Sequence, residues 1–136
     1  MDASQPPVSC DELITRAIEA AHQAYAPYSK FRVGAAVLTE SGIVTGCNVE
    51  SASYGLCLCA ERNALAAAIA QGNRRFQAIA IACIDAPPDL GLSGKMPCGA
   101  CRQWLLELAP TAQVFIAGHP TPFTPQELLP HGFKLG

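Results

Sequence analysis

The stretch from Cys59 to Ile84, CAERNALAAAIAQGNRRFQAIAIACI, decides the fold class. Its first half, as far as about Gln71, is rich in alanine and leucine and is followed by Gly72, which predicts a helix with glycine at its C′ position. Its second half, Phe76–Ile84, is almost continuously apolar, as expected of a strand covered on both faces. A helix followed directly by a buried strand is typical of an α/β sheet.

The segments on both sides of this stretch continue the alternation of helix and strand. Apolar periodicity and turn residues predict a helix at 9–24, strands at 31–38 and 43–48, a helix at 59–71, a strand at 76–84, a helix at 98–108, a strand at 113–117 and a helical turn at 124–130. Ser9 to Glu12 fits a capping box, Pro27 is expected to end the first helix, and Gly42 is available for a positive φ between the hairpin strands. The order α-β-β-α-β-α-β predicts one layered α/β domain over residues 1–136, with a mixed sheet.

Composition restricts the partners of this chain. Its 136 residues carry a net charge of −2 and only nine Lys and Arg, so we expect no nucleic-acid partner. No apolar run could span a membrane, and residues 1–9, MDASQPPVS, lack the features of a signal peptide, so we expect no membrane partner and a cytoplasmic location. Charged residues make up 15% of the chain, below the usual level of about a quarter. We expect from this a homo-oligomer with some surface buried between subunits; a thick core is the alternative explanation of the excess of apolar residues.

Four of the seven cysteines form two clusters, Cys57-Leu-Cys59 and Cys98-Gly-Ala-Cys101, and each lies where a predicted helix begins. Helix N-termini stabilise thiolates, and clustered thiols without a secretory signal indicate metal binding or catalysis sooner than disulfides. The spacing of Cys98 and Cys101 puts both sulfur atoms on one helix face, and Cys59 is the predicted third ligand. Three protein ligands and one open position are typical of a catalytic site, and thiolates favour zinc.

The two residues that follow Ala60 give this cluster a predicted chemistry. Glu61 is two residues from Cys59, so it can reach a zinc-bound water without binding the metal, and we expect it to be the general acid and base. We prefer Cys59 to Cys57 as the ligand because the Cys-x-Glu spacing places ligand and base in one helical turn; Cys57 is then a small buried filler. Arg62 is expected to donate hydrogen bonds to the thiolates and restore some Lewis acidity to the metal, although an exposed surface role is the more common fate of an arginine.

These residues match a known signature. Cys59-Ala-Glu61 followed by Pro97-Cys-Gly-Ala-Cys101 fits the zinc deaminase pattern in its three-cysteine form. The chain further resembles cytidine deaminases of the small, homotetrameric, zinc-dependent type over nearly its whole length, in the segments AYAPYSKFRVGAAV (24–37), GCNVESASYG (46–55), CAERNAL (59–65), PCGACRQWL (97–105) and ELLPHGF (127–133). The resemblance implies a three-layer α/β/α fold with a mixed central sheet of about five strands, and one Zn²⁺ per chain.

The resemblance also implies a reaction and an assembly. The reaction is the hydrolytic deamination of cytidine and deoxycytidine to uridine and deoxyuridine in pyrimidine salvage. Zinc-bound hydroxide attacks C4 of the base, and Glu61 carries protons to N3 and then to the departing amine. The assembly is a homotetramer whose active sites are shared between subunits.

Six further residues receive substrate contacts only through this resemblance. It implies that the ribose hydroxyls bind Asn48 and Glu50, that the pyrimidine packs against Phe31, that its O2 accepts from the Ala60 N–H, and that a neighbouring subunit contributes Tyr54 in part and Phe133. From the residues alone, Asn48 and Glu50 would be interpreted as turn residues, Phe31 as core, and Phe133 as the anchor of a tail.

Three alternatives compete with this interpretation. A structural zinc module requires a fourth protein ligand, for which Cys57 is the nearby candidate, and Glu61 would then only favour the helix dipole. A thiol-redox protein would use Cys98 and Cys101, but Cys59 and the Gly-Ala between them fit it poorly. A deaminase of an aminonucleoside antibiotic such as blasticidin S shares the three-cysteine signature, whereas the Asn48-Val-Glu50 and FRVGAAV matches favour cytidine.

Overall fold

The computed structural model describes residues 9–135. Its helices and strands, in chain order, are α1 (Cys10–Ala21), β1 (Val33–Thr39), β2 (Gly42–Cys47), α2 (Ala60–Ala70), β3 (Phe76–Cys83), α3 (Gly99–Leu108), β4 (Gln113–Ile116) and α4 (Pro125–Leu128), with 3₁₀ turns at Tyr54–Leu56 and Leu92–Lys95. The predicted order of elements is confirmed. The prediction that residues 1–9 hold no signal peptide concerns a segment of which residues 1–8 lie outside the described residues.

The strands form a mixed sheet in the order β2-β1-β3-β4. β1 pairs antiparallel with both β2 and β3, whereas β3 and β4 are parallel, so the predicted mixed sheet is confirmed. The prediction of about five strands is wrong within residues 9–135, where the sheet has four. Next to β4, Phe123 forms only an isolated bridge to Val114. Pro120, Pro122 and Pro125 surround it, and prolines cannot donate to a ladder, so no fifth strand propagates there.

The side chains of β1 alternate between two hydrophobic clusters. Ala35 and Val37 pack in a cluster that contains buried residues of α2 and α3, whereas Ala36 packs with Leu13 and Ala17 of α1. Because successive side chains of a strand point to opposite faces, the helices of the two clusters lie on opposite sides of β1. Of the seven successive residues from Phe76 to Ala82 in β3, six are buried and Gln77 is exposed, which fits the predicted strand covered on both faces.

The first helix is shorter than predicted. It begins after Ser9, whose hydroxyl accepts a hydrogen bond from the Glu12 N–H, but it ends at Ala21 rather than near Ala24. The backbone of Tyr25 instead pairs with the segment after β2, donating to the Asn48 carbonyl at 3.0 Å. The chain is therefore already extended before Pro27, which does not end the helix.

The connections at two glycines agree with the prediction. Gly42 has a φ of 113° in the turn between β1 and β2, and Gly72 has a φ of 96° after α2. Both values lie in the left-handed region that glycine adopts without a steric penalty. Within residues 9–135, no helix is both long and apolar enough to cross a bilayer.

Candidate active site

The candidate site lies where α2 and α3 begin. Cys59 is the N-cap residue of α2 and Cys98 is the N-cap residue of α3, while Cys101 is buried in the first turn of α3. Both N-cap residues have extended backbones, with ψ of 156° and 170°. The positive ends of two helix dipoles therefore converge on one group of sulfur atoms and stabilise negative charge there.

The spacing of the three sulfur atoms fits a zinc ion. Cys98 Sγ lies 3.6 Å from Cys59 Sγ and 3.5 Å from Cys101 Sγ, and all three lie within 4.8 Å of one another. Tetrahedral zinc with Zn–S bonds of about 2.3 Å separates its sulfur ligands by roughly 3.8 Å. The group could thus hold zinc by three ligands, which leaves one tetrahedral position for another molecule.

Glu61 is buried next to these thiols. Its exposed fraction is 4%, and it lies in the first turn of α2. Burial and, to a smaller extent, negative charge on Cys59 together raise the pKa of its carboxyl to about 7, against the opposing effects of hydrogen bonds and Arg62. A carboxyl group with this pKa can both accept and release a proton near neutral pH.

Arg62 contacts the same thiols. Its Nη2 donates to Cys59 Sγ at 3.5 Å, and the hydrogen bond to that thiolate raises the pKa of Arg62 above its usual value. Hydrogen bonds from Cys101 and Arg62 help to lower the pKa of Cys59 to about 5, whereas the bond that Cys101 donates, together with burial, raises the pKa of Cys101. Arg62 is therefore placed to offset the negative charge of the sulfur atoms.

Cys57 lies outside the metal-ligating group. Its Sγ accepts a hydrogen bond from the Ser51 N–H at 3.2 Å and lies 3.5 Å from the Ser51 carbonyl, to which it donates. It is half-buried, so the expectation of a purely apolar buried filler is wrong. Cys57 instead closes the turn between β2 and α2. Among the described residues, the metal-ligating group contains no fourth cysteine, histidine or carboxylate.

Asn48 and Glu50 form a second group of polar side chains with the segment before β1. Asn48 donates to the Phe31 carbonyl at 2.9 Å and accepts from the Val33 N–H at 2.8 Å. Glu50 accepts from the backbone N–H groups of residues 28 and 29, both at 3.1 Å, and from the Ser29 hydroxyl, and the hydroxyl bond is the main reason that its pKa is lowered. Both residues thus hold the half-buried Phe31 segment, and each retains hydrogen-bonding capacity for a ligand.

The remaining predicted site residues differ in exposure. Ala60 is the buried first residue of α2, a position at which the N–H has no carbonyl partner within the helix. Tyr54 is 74% exposed and makes an edge contact with Tyr28 at a centroid distance of 6.3 Å. Phe133 is 68% exposed, and its backbone is bound by the side-chain amide of Gln103 at 2.8 and 3.3 Å. The two exposed rings are available to another molecule.

Comparison with known proteins decides the family. The family model described as "Cytidine and deoxycytidylate deaminase zinc-binding region" matches residues 8–117. The chain belongs to this family. A curated cytidine deaminase of Halalkalibacterium halodurans is 44% identical over 126 residues, which cover 89% of this chain and 91% of that protein. The 1.6 Å crystal structure of cytidine deaminase from Burkholderia pseudomallei matches this chain with a TM-score of 0.81 and 45% sequence identity. The match covers 93% of this chain and all of the other chain.

Membership in this zinc-binding deaminase family confirms the resemblance inferred from the motifs. It also confirms the prediction of zinc, since the family model describes a zinc-binding region and three cysteines of this chain could hold the ion. A more distant relative, a blasticidin-S deaminase of Bacillus cereus, is 30% identical over 107 residues that cover 75% of this chain.

Three residues that hold segments of the site of this deaminase are not identified by its sequence motifs. Ser29 binds Glu50, Asp85 binds Arg32, and Gln103 binds the backbone of Phe133. Ser29 and Gln103 lie within the quoted matching segments, and Asp85 directly follows the strand predicted at 76–84. A polar residue at a strand end was the available signal for Asp85, but its partner is 53 positions away.

Proposed function

We infer that this chain is a zinc-dependent hydrolase that converts cytidine and deoxycytidine to uridine and deoxyuridine. The observation that carries this inference is the buried Glu61 beside three thiols spaced for zinc. Cys59, Cys98 and Cys101 are the proposed ligands of one Zn²⁺ per chain. Membership in a cytidine and deoxycytidylate deaminase family and 44% identity to a curated cytidine deaminase support the substrate class.

The proposed roles follow from the position of each group. Bound zinc supplies Lewis acidity, which makes water acidic enough to act as a nucleophile near neutral pH. Glu61 takes the proton of the attacking water, delivers one to N3 of the base and then protonates the amino group that leaves C4 as ammonia. Arg62 offsets the negative charge of the Cys59 thiolate through the 3.5 Å contact. The net reaction adds water and releases ammonia, so it needs no redox partner.

Substrate binding is assigned to the residues around this group. The Ala60 N–H donates to the pyrimidine O2, since the first N–H groups of a helix lack intrahelical partners. Phe31 packs against the pyrimidine, and the hydrogen-bonding capacity that remains on Asn48 and Glu50 serves the ribose hydroxyls. These two side chains also form hydrogen bonds to the Phe31 segment, which fix the position of the residues that contact the ribose relative to the residue that contacts the base.

The proposed assembly is a homotetramer with active sites shared between subunits. Support comes from the low charge content and from the exposed rings of Tyr54 and Phe133. A cavity of about 560 Å³ between α2 and α3, lined in part by Ile69 and the half-exposed Trp104, offers further apolar surface. The proposed role in pyrimidine salvage follows from the nucleoside substrate, and the proposed cytoplasmic location is supported by the free, clustered thiols, which fit a reducing compartment.

We further propose one domain over residues 1–136 with three layers, α/β/α. The two hydrophobic clusters on opposite faces of β1 support this arrangement, because one includes residues of α1 and the other includes residues of α2 and α3. A protease-resistant core that retains zinc and nearly the full chain length would be the expected result of limited proteolysis.

One assay tests the proposed activity against its alternatives. The purified protein is incubated with cytidine, deoxycytidine, cytosine and blasticidin S, with and without a chelator, and ultraviolet absorbance follows conversion. We expect conversion of the two nucleosides, and loss of that conversion after zinc removal. Preferential conversion of blasticidin S would favour the antibiotic deaminase, which the 30% identical relative makes the second candidate. No conversion of any compound by zinc-loaded protein would favour a structural zinc module.

The role of Glu61 is tested with Glu61→Gln, which keeps the shape of the side chain but cannot carry the proton. We expect turnover to fall by about 10²- to 10⁴-fold, while zinc content stays at one per chain. Retained turnover would contradict the proposed proton transfer.

Shared active sites are tested by mixing two inactive variants. Phe133→Ala keeps Glu61, and Glu61→Gln keeps the Phe133 ring, so mixed tetramers formed by co-expression contain some complete sites. Activity above that of either variant alone is expected. If Phe133→Ala alone is fully active, or the mixture gains nothing, the sites are not shared through this residue.

A further inference from the structure

Asp85, two residues after the end of β3, binds the segment that carries Phe31. Its Oδ2 accepts from the backbone N–H and from Nε of Arg32, each at 2.8 Å, and its Oδ1 accepts from Arg32 Nη2 at 2.8 Å. The hydrogen bonds from Arg32 lower the pKa of Asp85 to about 2, so the carboxylate is charged throughout the neutral range. One side chain thus makes three charge-assisted hydrogen bonds to one residue.

The backbone bond from Arg32 acts on the peptide unit next to Phe31. The carbonyl of that peptide unit belongs to Phe31 and accepts from Asn48 Nδ2 at 2.9 Å, while its N–H belongs to Arg32 and donates to Asp85. The peptide plane is therefore held from both sides, by side chains that follow β2 and β3. The Phe31 N–H donates to the Ser29 hydroxyl at 3.0 Å, so the backbone on both sides of the Phe31 Cα is fixed.

The backbone of Arg32 is also bound to the beginning of a second segment. Asp85 opens the connection that leads to Cys98, and the preceding residue, Ile84, donates its N–H to the Arg32 carbonyl at 3.2 Å. The backbone of Arg32 is therefore bound to residues 84 and 85 in both directions.

This arrangement differs from an ordinary surface ion pair. Arg16 and Glu19 on α1 make one contact at 3.9 Å, whereas Asp85 holds both a side chain and a backbone group, and its side chain is only 26% exposed. Exposed pairs of the first kind contribute little, whereas bidentate geometry fixes orientation.

We propose that Asp85 is a positioning residue, which fixes Phe31 against the pyrimidine by holding the Phe31–Arg32 peptide unit from the side opposite Asn48. This inference rests on the proposed function, because it requires Phe31 to contact the base. It predicts that Asp85 governs substrate affinity more than the chemical step, since Glu61 and the thiols lie on other elements.

Three substitutions test the proposal by steady-state kinetics on cytidine and by calorimetric binding of uridine. Asp85→Ala should raise KM and the uridine Kd by about tenfold, with kcat within about threefold of wild type and zinc at one per chain. Arg32→Ala removes the guanidinium but keeps the backbone N–H, so its KM should rise less. Asp85→Asn keeps an acceptor for that N–H and should fall between wild type and Asp85→Ala. Glu19→Ala, from the exposed α1 pair, is the control and should leave KM and kcat unchanged.

The outcomes separate this inference from the proposed function. Wild-type turnover with unchanged KM and Kd in Asp85→Ala overturns the inference alone. The inference is also overturned if Asp85→Ala lowers the thermal midpoint but leaves KM unchanged and reduces kcat only in proportion to the folded fraction. The contact between Asp85 and Arg32 would then be merely structural. An equal KM rise in Arg32→Ala and Asp85→Ala would overturn the assignment to the backbone contact. Zinc-loaded wild type that converts no nucleoside overturns the proposed function and this inference with it.

Discussion

Because β2 and α2 are in close contact, we expect that one methyl group added to β2 can displace the active site. Gly46 in β2 lies directly under the start of α2. A Cβ atom at this position would lie 2.5 Å from the Ala64 nitrogen and 2.9 Å from the Ala60 carbonyl oxygen. Both are backbone atoms, so no side-chain rotation can relieve the overlap. Gly46→Ala must therefore move α2 away from the sheet.

The size of the effect follows from these distances. Non-bonded atoms approach to about 3.5 Å, so α2 must shift by roughly 1 Å. Overpacking of this kind costs about 1–3 kcal/mol of stability. Because Ala60 lies between Cys59 and Glu61, the displacement reaches the thiols and the acid-base group together, and a 1 Å misplacement can reduce turnover by about 100-fold.

The assay combines kcat for cytidine, zinc content and the thermal midpoint, with two controls. Gly91→Ala should have little effect, because a Cβ there meets nothing within 4 Å and its φ is −67°. Leu13→Ala should cost about 2–5 kcal/mol by leaving a cavity under α1, which carries no proposed site residue, and its folded molecules should keep wild-type kcat. Gly46→Ala protein with wild-type kcat and thermal midpoint would refute the reasoning, since the helix would not be held at this contact.

Three further predictions concern single side chains. Arg62→Ala removes a charge-assisted hydrogen bond to Cys59 that is worth about 1.5–3 kcal/mol, so it should lower kcat by about tenfold or more, with a smaller loss of zinc. Steady-state kinetics and metal analysis check this prediction, and an unchanged rate would contradict it. Cys57→Ala should keep one zinc per chain, since its sulfur binds Ser51, and metal loss would instead make it a ligand. Asp85 has a folded pKa of about 2, below its unfolded value of about 3.9, so its stabilising contribution is complete above that value and is lost as the pH falls toward 2. Denaturant midpoints of wild type and Asp85→Asn should therefore differ by a constant amount from about pH 7 to 5 and converge below about pH 4.

The local features of the fold could be predicted because each depends on residues close in the chain. Alanine and leucine between Cys59 and Gly72 favour a helix wherever it packs, and the apolar run that begins at Phe76 is suited to a buried strand. The predicted end of α1 was wrong because Tyr25 pairs with a segment more than twenty residues away, and that pairing outweighs the local helical periodicity. The number of strands that the resemblance implied was wrong because, beyond β4, Phe123 forms only an isolated bridge, which the prolines around it do not extend.

The candidate site divides in the same way. The identity of the thiols, the Cys-x-Glu spacing and the family could be read from motifs, because the ligands on each helix are only a few residues apart. The pKa of Glu61 could not be predicted from motifs, since it depends on burial by residues from other elements. Nor could the role of Cys57, whose hydrogen bonds depend on the shape of the turn at Ser51.

The sequence by itself determined which chemical groups this protein has and the order in which helices and strands present them. Only the tertiary structure decided how the ends of β2 and β3 hold the Phe31 segment, through Asn48 and Asp85, and how closely α2 lies on Gly46. The physical reason is that hydrogen bonds and close packing between distant segments depend on distances of a few tenths of an ångström, which periodicity and spacing do not encode.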